Sequence, residues 1–575
     1  MNHDFPIFTV ENSCQDCYKC VRYCPCKAIR VTGGRAAVIP ELCVSCGRCV
    51  QVCPAGAKKI RPDMSRARYL LGRGKKVYAS LAPSFVSFFR DLPREKLIAG
   101  LLKLGFAGVS ETALGAEIVS AESARLLETA EPGIYLSSAC PAAVEYFRKY
   151  TPRYAARITP LLSPLLTHCR MLRREFGDEI AIVFFGPCAA KKLEADRHPE
   201  LLDLALTFED LVEWFAAEKI DPAKLDGGNA AFVPRDAAEG RIYPLEGGMN
   251  DTLRGGNQHV HYLALSGLLN FERVMRQDPD GADRRDGKFF IECLGCDGGC
   301  VNGPAMPEHG SALSGLIAAA RGYDGANSRD REIPFELKEP IRPESTKIAE
   351  PDEEEIRNAL ASVGKYSRAD ELNCGGCGYS RCRDFARALV AGKAESEMCV
   401  SHMRELAQKK SNALIRHLPA GVVIANRELE IIECNRHFAE LFDESTRLAY
   451  EAMPGLAGAD LRSIVDFAEF FETVLASGGE LLRPNHVTPD GRILNLSIFS
   501  IEPHRIVGAI AQDVTTLELQ REQISERARE VIRKNVFTVQ KIAHYLGEHM
   551  AETEILLREV AGNYSSPETR EKSDP

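Results

Sequence analysis

No uninterrupted apolar run in this 575-residue chain reaches membrane-spanning length, so no transmembrane helix is expected. The N-terminus, MNHDFPIFTVENSC, has neither the basic start nor the apolar core of a secretory signal, which places the protein in the cytoplasm as an expectation. Positive charge is not in excess. A net charge of −9 argues against a general nucleic-acid binder, leaving room only for a local basic patch. The C-terminal half shows no haem or flavin signature, and no kinase ATP-binding region or phosphatase domain follows it. What is present is the composition of a soluble globular protein, 45% hydrophobic and 27% charged, in a chain too long for one core.

Cysteine is abundant, at twenty residues, and clustered: nine stand before residue 54 and four between 374 and 399. A secreted disulfide scaffold would be shorter and more evenly studded, so clustered thiols in a reducing compartment point to metal. The only internal repeat lies here. Cys14, Cys17, Cys20 and Cys24-Pro25 recur as Cys43, Cys46, Cys49 and Cys53-Pro54. C-x2-C-x2-C-x3-C-P is the bacterial ferredoxin run, in which three thiolates face one cube and the fourth reaches across to the other. Cys14, Cys17, Cys20 and Cys53 are therefore expected on one [4Fe–4S] cluster, and Cys43, Cys46, Cys49 and Cys24 on the second. Zinc, the competing reading, normally uses paired C-x2-C knuckles. Residues 1–62 resemble two-cluster ferredoxins, and Cys26, outside the pattern, reads as packing.

A second cysteine set, Cys374, Cys377, Cys382 and Cys399, lies in the small helical stretch 356–405. Two glycines after Cys374 let the loop wrap closely. The stretch resembles the four-cysteine [4Fe–4S] domain of electron-transfer and corrinoid iron–sulfur proteins; a structural zinc is the alternative.

Between these sets, residues 75–322 mix short apolar runs with helical periodicity. VYASLAPSFV, GIYLSSACP and AIVFFGPCAA each read as a buried strand running into a loop, which predicts an α/β domain with its chemistry at strand ends. Cys140, Cys188, Cys296 and Cys300 stand in Gly/Pro-rich loops after such runs. Singly, each reads as a buried structural cysteine. Together, the segments Ser137-Ser138-Ala139-Cys140-Pro141, Gly186-Pro187-Cys188-Ala189-Ala190-Lys191-Lys192-Leu193-Glu194 and Glu292-Cys293-Leu294-Gly295-Cys296-Asp297-Gly298-Gly299-Cys300 resemble the three signatures of [FeFe]-hydrogenases. The resemblance implies an H-cluster, a [4Fe–4S] cube joined through one cysteine to a di-iron unit with CO, cyanide and a bridging dithiolate. It puts Cys140, Cys188, Cys296 and Cys300 on the cube and Cys300 on the bridge. Lys191 would hydrogen-bond a cyanide, an ammonium suiting an anionic ligand. Glu194 closes the lysine motif, and Ala82-Pro83-Ser84 matches a loop that contacts the diatomic ligands.

The departures from the family pattern carry as much information. Ala139 stands where catalytic members have a proton-relaying cysteine, and a methyl group can neither donate nor accept a proton. The family's adjacent glutamate pair is Glu122-Ser123 here, methionines near the di-iron unit become Gly186 and Leu294, and a proline becomes Asp297. Retained cofactor residues with a weakened relay resemble the sensory [FeFe]-hydrogenases.

Residues 323–355 are charged and proline-bearing and read as a linker. Residues 410–516 resemble an α+β PAS domain, with an asparagine-bearing turn at Asn435, a turn at Pro489-Asp490-Gly491 and Asp513 in the closing strand. His437 and Cys434 read as ordinary helix and packing residues. Residues 517–563 carry apolar positions spaced four and three apart, among them Ile532, Val536, Val539, Ala543 and Leu546, which predicts a dimeric helix or coiled coil; 564–575 read as a disordered tail.

The expectation is thus multidomain: an α+β ferredoxin module, an α/β hydrogenase-type domain, a small helical Fe–S domain, a PAS domain and a C-terminal helix. The function expected is sensing of H₂ or redox state, with binding or slow turnover of H₂. Partners would be H₂ and protons, ferredoxin or another redox protein, hydrogenase maturation proteins and a separate kinase or phosphatase output protein. No nucleic acid or membrane is involved, and a homodimer would form through the PAS domain and helix. The competing readings are a catalytic hydrogenase and an iron–sulfur scaffold without the di-iron unit.

Overall fold

Strand β1 (Ile7–Thr9) pairs antiparallel with a later strand of the ferredoxin module, while β2 (Ile29–Thr32) and β3 (Arg35–Val38) form a hairpin. Gly33 and Gly34, both at positive φ, make its two-residue turn, the conformation such a connection needs. The partner of β1 is β4 (Lys58–Ile60). The computed structural model describes residues 5–254, 259–277, 287–307, 312–320, 333, 335–344, 346, 350–515 and 529–536. It falls into two units, Met1–Met398 and Cys399–Pro575. Most of the predicted 517–563 helix and the whole 564–575 tail lie outside the described residues.

The apolar runs of the middle domain become strands: β5 (Val77–Leu81), β6 (Gly108–Glu111), β7 (Gly133–Leu136), β8 (Ala181–Gly186), β9 (Leu204–Thr207), β10 (Val260–Ser266) and β11 (Lys288–Leu294). They form two parallel sheets, ordered β6-β5-β8-β9 and β10-β11-β7. Every residue of β5 and β8 is buried. That is the reason these strands show continuous apolar runs rather than alternation, since both faces of a parallel sheet are covered. Loops leaving the carboxyl ends of β5, β7, β8 and β11 carry Ala82-Pro83-Ser84, Cys140, Cys188 and Cys296. Open parallel sheets bind their ligands at that edge.

A buried ion cluster ties the ferredoxin module to this domain. Arg61 forks onto Asp196 at 2.8 and 2.9 Å and holds Asp63 at 3.0 Å, and Lys192 Nζ reaches Asp63 at 3.1 Å. Burial alone would raise the Asp63 pKa, but Lys192 and Arg61 outweigh it and hold the carboxyl below its ordinary 3.8. Because the folded value is depressed, this stabilisation is complete above the unfolded pKa and is lost as pH falls through the folded one. Asp63→Ala leaves the buried Lys192 with only the longer Asp210 contact, at 3.5 Å, to offset its charge. A loss of about 3–5 kcal/mol is expected in urea unfolding at neutral pH, shrinking in strong acid.

The charged 323–355 segment lies partly on the middle domain as a strap. Leu162 donates to Leu337 O at 2.9 Å, Glu339 to Pro160 O at 2.9 Å and Glu344 to Arg148 O at 3.0 Å, with Leu337 buried. It leads to the helix Glu353–Ser362, started by an Asp352/Glu355 capping box. Against this helix packs Cys382–Val390, through Ile356, Leu360, Cys382 and Ala386.

The second unit opens with the 18-residue helix Val400–His417, N-capped by Cys399. Strands β12 (Gly421–Asn426), β13 (Ile431–Cys434), β14 (Glu480–Val487), β15 (Ile493–Glu502) and β16 (Ile506–Asp513) form an antiparallel sheet ordered β13-β12-β16-β15-β14. Leu494, Leu496 and Ile498 alternate inward along β15, onto Phe438, Phe467 and Phe471. Asn435 is wholly buried, and its side chain makes four hydrogen bonds. The amide donates to Ile415 O (2.9 Å) and Ala420 O (2.7 Å) and accepts from Val422 N–H (2.8 Å) and Phe438 N–H (2.9 Å). Asn435→Ala removes all four bonds and leaves Phe438 N–H only its 3.2 Å bond to the residue-435 carbonyl, so about 2–4 kcal/mol is lost. Hydrogen exchange at the Val422 and Phe438 amides reads it, and unchanged protection there refutes it.

Candidate metal centres

The structure brings the cysteines together in the groups the spacing predicts within the first unit. Cys20 is pushed up to about 11, by burial first, with the Cys17, Cys14 and Cys53 thiolates adding to it and Lys58 opposing it. Cys43 is pushed up to about 12 by burial and by Cys24; Cys49 is raised by burial, then Cys43, Cys46 and Cys24. The buried Lys58 ammonium, held by Thr9 Oγ1 and Ala36 O at 2.6 Å each, opposes the rise at both Cys20 and Cys49. Backbone N–H groups also reach sulfur: Ala28 to Cys24 at 3.3 Å, Ser45 to Cys43 at 3.3 Å and Ala57 to Cys53 at 3.2 Å.

The middle-domain site assembles the same way. Cys140 caps the helix Pro141–Tyr150 and accepts from Gly295 N–H at 3.3 Å, which links the first and third signature loops. Cys188 is pushed up to about 11 by burial and then by Cys140, with Lys191 opposing. Cys296 and Cys300 are raised by burial first, and both feel Cys140 and Cys188. Gly299 sits at φ +107 with Pro244 O only 2.2 Å from where a Cβ would lie, so the turn between Cys296 and Cys300 admits no side chain. Cys293 is fully buried beside Cys140, its thiol directed to Ile291 O at 3.5 Å.

Lys191, at the start of the helix Ala190–Arg197, places Nζ 2.7 Å from Glu194 Oε2 and 3.2 Å from Ser163 Oγ. Burial disfavours its charge, but Glu194 and the Cys188 and Cys140 thiolates outweigh burial and raise its pKa. Glu194 is thus the partner of Lys191. Ser163, the cap of the helix Pro164–Phe176, is the residue sequence reasoning missed, although its Ser-Pro pair marks a helix start. Glu292, which opens the third signature segment, was given no role of its own. It is buried, accepts from Met249 N–H at 3.3 Å and is raised to about 7, by burial first, so it holds a proton near neutrality. The sequence does not show its environment, because that is assembled from the distant helix Gly248–Leu253.

The donor set fits the groups implied. All twenty cysteines are free thiols, and neighbouring thiolates raise Cys20, Cys43, Cys46, Cys49, Cys188, Cys296 and Cys300, so joint ionisation there requires a positive charge among them. Ser84 Oγ and Ser138 Oγ are buried with no hydrogen-bond partner among the described residues, next to the loops expected to face the diatomic ligands. Among the described residues no three His, Cys, Asp or Glu converge on a single metal ion. A cube needs no such convergence, since each iron takes one thiolate.

The second ferredoxin repeat abuts this site. A Cβ at Gly47 would lie only 2.3 Å from Pro304 Cβ, Gln51 Nε2 donates to Asn302 O at 3.0 Å, and Arg48 meets Asp297 at 3.4 Å. Asp297, a departure from the family, is therefore part of an exposed contact between modules. Cys188 is near enough to raise the Cys46 thiol, and Cys46 in turn raises that of Cys296. In the four-cysteine set, Cys377 and Cys382 are buried and Cys374 is exposed, with Asn373 N–H 3.4 Å from Cys382 Sγ. Cys399, buried, is the first residue of the second unit, its thiol 3.3 Å from Ser401 Oγ.

Fold and thiol grouping define an iron–sulfur protein joined to a PAS module. Residues 13–57 match the 4Fe-4S dicluster domain, 370–401 an Fe–S cluster domain and 409–480 the PAS domain. Residues 75–304 match the iron only hydrogenase large subunit, C-terminal domain, so the chain has an [FeFe]-hydrogenase-like architecture. It is 26% identical over 386 residues to the periplasmic [Fe] hydrogenase large subunit of Nitratidesulfovibrio vulgaris, covering 56% of this chain and 90% of the relative. A solved variant of an [FeFe]-hydrogenase from Chlamydomonas reinhardtii is 20% identical over 46% of this chain and 91% of its own, at TM-score 0.38. The PAS domain of an HTR-like protein from Haloarcula marismortui is 19% identical over 19% of this chain and 99% of its own, at TM-score 0.15. Among the described residues no helix is long and apolar enough to cross a membrane.

Proposed function

We propose that the protein is a cytoplasmic sensor of H₂ or redox state, binding or slowly turning over H₂ at an H-cluster and signalling through its Fe–S and PAS domains to a separate output protein. The observation that carries this reading is Ala139. The four thiols of Cys140, Cys188, Cys296 and Cys300 and the Lys191 ammonium are gathered around one site, yet the residue placed to pass a proton is a methyl group. When bound, the cofactor supplies heterolytic H₂ chemistry. The chain's own part is to hold it by four thiolates, Cys300 at the bridge, and to offer the Lys191 cation and the Ser84 and Ser138 hydroxyls to its ligands. Glu292 keeps a buried proton nearby without a donor at position 139 to hand it on.

Infrared spectroscopy of protein matured with hydrogenase maturation proteins, recorded with and without H₂, tests the reading. CO and cyanide bands that shift with H₂ are expected. Their absence leaves an iron–sulfur scaffold. Bands accompanied by turnover as fast as that of catalytic hydrogenases overturn the sensor reading in favour of an enzyme.

A further inference from the structure

The four-cysteine domain is bolted to the ferredoxin module by contacts that neither site needs for itself. Lys27, at φ +47, sends Nζ to Val21 O (2.9 Å), Arg22 O (3.1 Å) and, across the seam, Gly378 O (3.0 Å). Its ammonium stands 5.7 Å from the Tyr379 ring centroid. Arg22 donates to Gly376 O at 3.2 Å, Val31 N–H to Lys393 O at 3.0 Å, and the Gly33 and Gly34 N–H groups to the Glu395 carboxylate at 2.6 and 3.2 Å. Gly378 sits at φ +90, and a Cβ there would come within 3.0 Å of Val21. The backbone between Cys377 and Tyr379 is thereby pressed onto the helix Lys19–Tyr23, which leads into Cys24.

Tyr379 lies inside this seam. It is 3% exposed, packed 5.9 Å from the Phe385 ring, and its hydroxyl is buried with no hydrogen-bond partner among the described residues. A phenol keeps its proton at neutral pH, so this buried hydroxyl is a hydrogen-bond donor. A buried donor left unpaired is destabilising, and a sulfur acceptor at either site would relieve it.

We propose that this seam is an electron-transfer junction: the Cys24–Cys43–Cys46–Cys49 site exchanges electrons directly with the site carrying Cys374, Cys377 and Cys382, and Tyr379 donates its hydroxyl hydrogen bond to a sulfur of one of them. Each exchange moves one electron, the donor site oxidised and the acceptor site reduced by one, with no proton or further reactant. The same ferredoxin site also adjoins the Cys188 and Cys296 loops through Cys46, so it stands at a branch between the hydrogenase-type centre and the signalling half. This inference rests on the cluster assignments of the proposed function, but not on H₂ reactivity.

The test uses the full chain with reconstituted clusters and dithionite as reductant, which bypasses H₂. Hydrogen bonds to cluster sulfur stabilise the more negative reduced state and raise the potential. Tyr379→Phe removes only the hydroxyl, so one midpoint in an EPR-monitored redox titration shifts to a more negative value at unchanged iron content. In the fully reduced native chain, the signal of the four-cysteine site shows spin–spin splitting and fast relaxation from its neighbour. If Tyr379→Phe lowers the iron content, Lys27→Met replaces it and is expected to weaken that splitting. Unchanged midpoints in Tyr379→Phe, a magnetically isolated four-cysteine signal in the native chain, or undiminished splitting in Lys27→Met each overturn the proposal. Failure of H₂ to reduce any cluster, with these signatures intact, counts against the sensor reading alone.

Discussion

Ala139→Cys raises H₂ turnover of the matured protein by about 10²–10⁴-fold, the range that a positioned acid–base group contributes. Position 139 is partly buried, immediately before the Cys140 cap, and packs with Tyr135 and Tyr262 against the Phe290 cluster. A thiol there adds the one group in this loop able both to accept and to release a proton near neutrality. The neighbouring Ser138 hydroxyl is buried and without a partner among the described residues, so the site has polar capacity but no titratable side chain at that step. Hydrogen evolution with a reduced dye measures the outcome. Unchanged turnover moves the bottleneck to Ser123, buried and likewise unpaired among the described residues where the family has a glutamate.

Cys300→Ser abolishes the CO and cyanide infrared bands and all H₂-dependent activity, whereas Cys293→Ser preserves both. The two residues lie in one stretch, and their surroundings separate them. Cys300 shares its pocket with Cys140, Cys188 and Lys191, so its thiolate has a cluster of charges to join. Cys293 ends its reach at the carbonyl of its own strand β11 and is enclosed with Leu268, Phe271 and Leu294. A hydroxyl can replace the Cys293 thiol at a modest packing cost, but a bridging thiolate has no oxygen equivalent of the same softness. Retained bands in Cys300→Ser refute the bridge assignment. Lost bands in Cys293→Ser make that residue a ligand.

Much of this was legible in the chain. The apolar runs before Cys140 and Cys188 are β7 and β8 because a strand covered on both faces must be apolar throughout. The ferredoxin repeat pairs Cys53 with the first three cysteines and Cys24 with the later ones, as its spacing implies. Asn435 was visible as a turn residue, though not as a four-bond staple. What could not be read rests on backbone atoms and distant partners. The strap around Leu337 has the charge and proline of a linker; it is held by main-chain bonds to Pro160 and Leu162, which leave no side-chain pattern. The Lys27 bolt ends on carbonyls of Val21, Arg22 and Gly378, so nothing in the sequence distinguishes it from a solvated lysine.

The helix Val400–His417 has a mechanical consequence. At 1.5 Å per residue its 18 residues make a shaft of about 27 Å. Cys399 is its cap at one end. At the other, the Ile415 carbonyl is pinned by Asn435, and only Leu418, Pro419 and Ala420 separate the helix from β12. Under the proposed signalling role, a twist imposed at Cys399 would reach the sheet through those three residues and the bonds of Asn435.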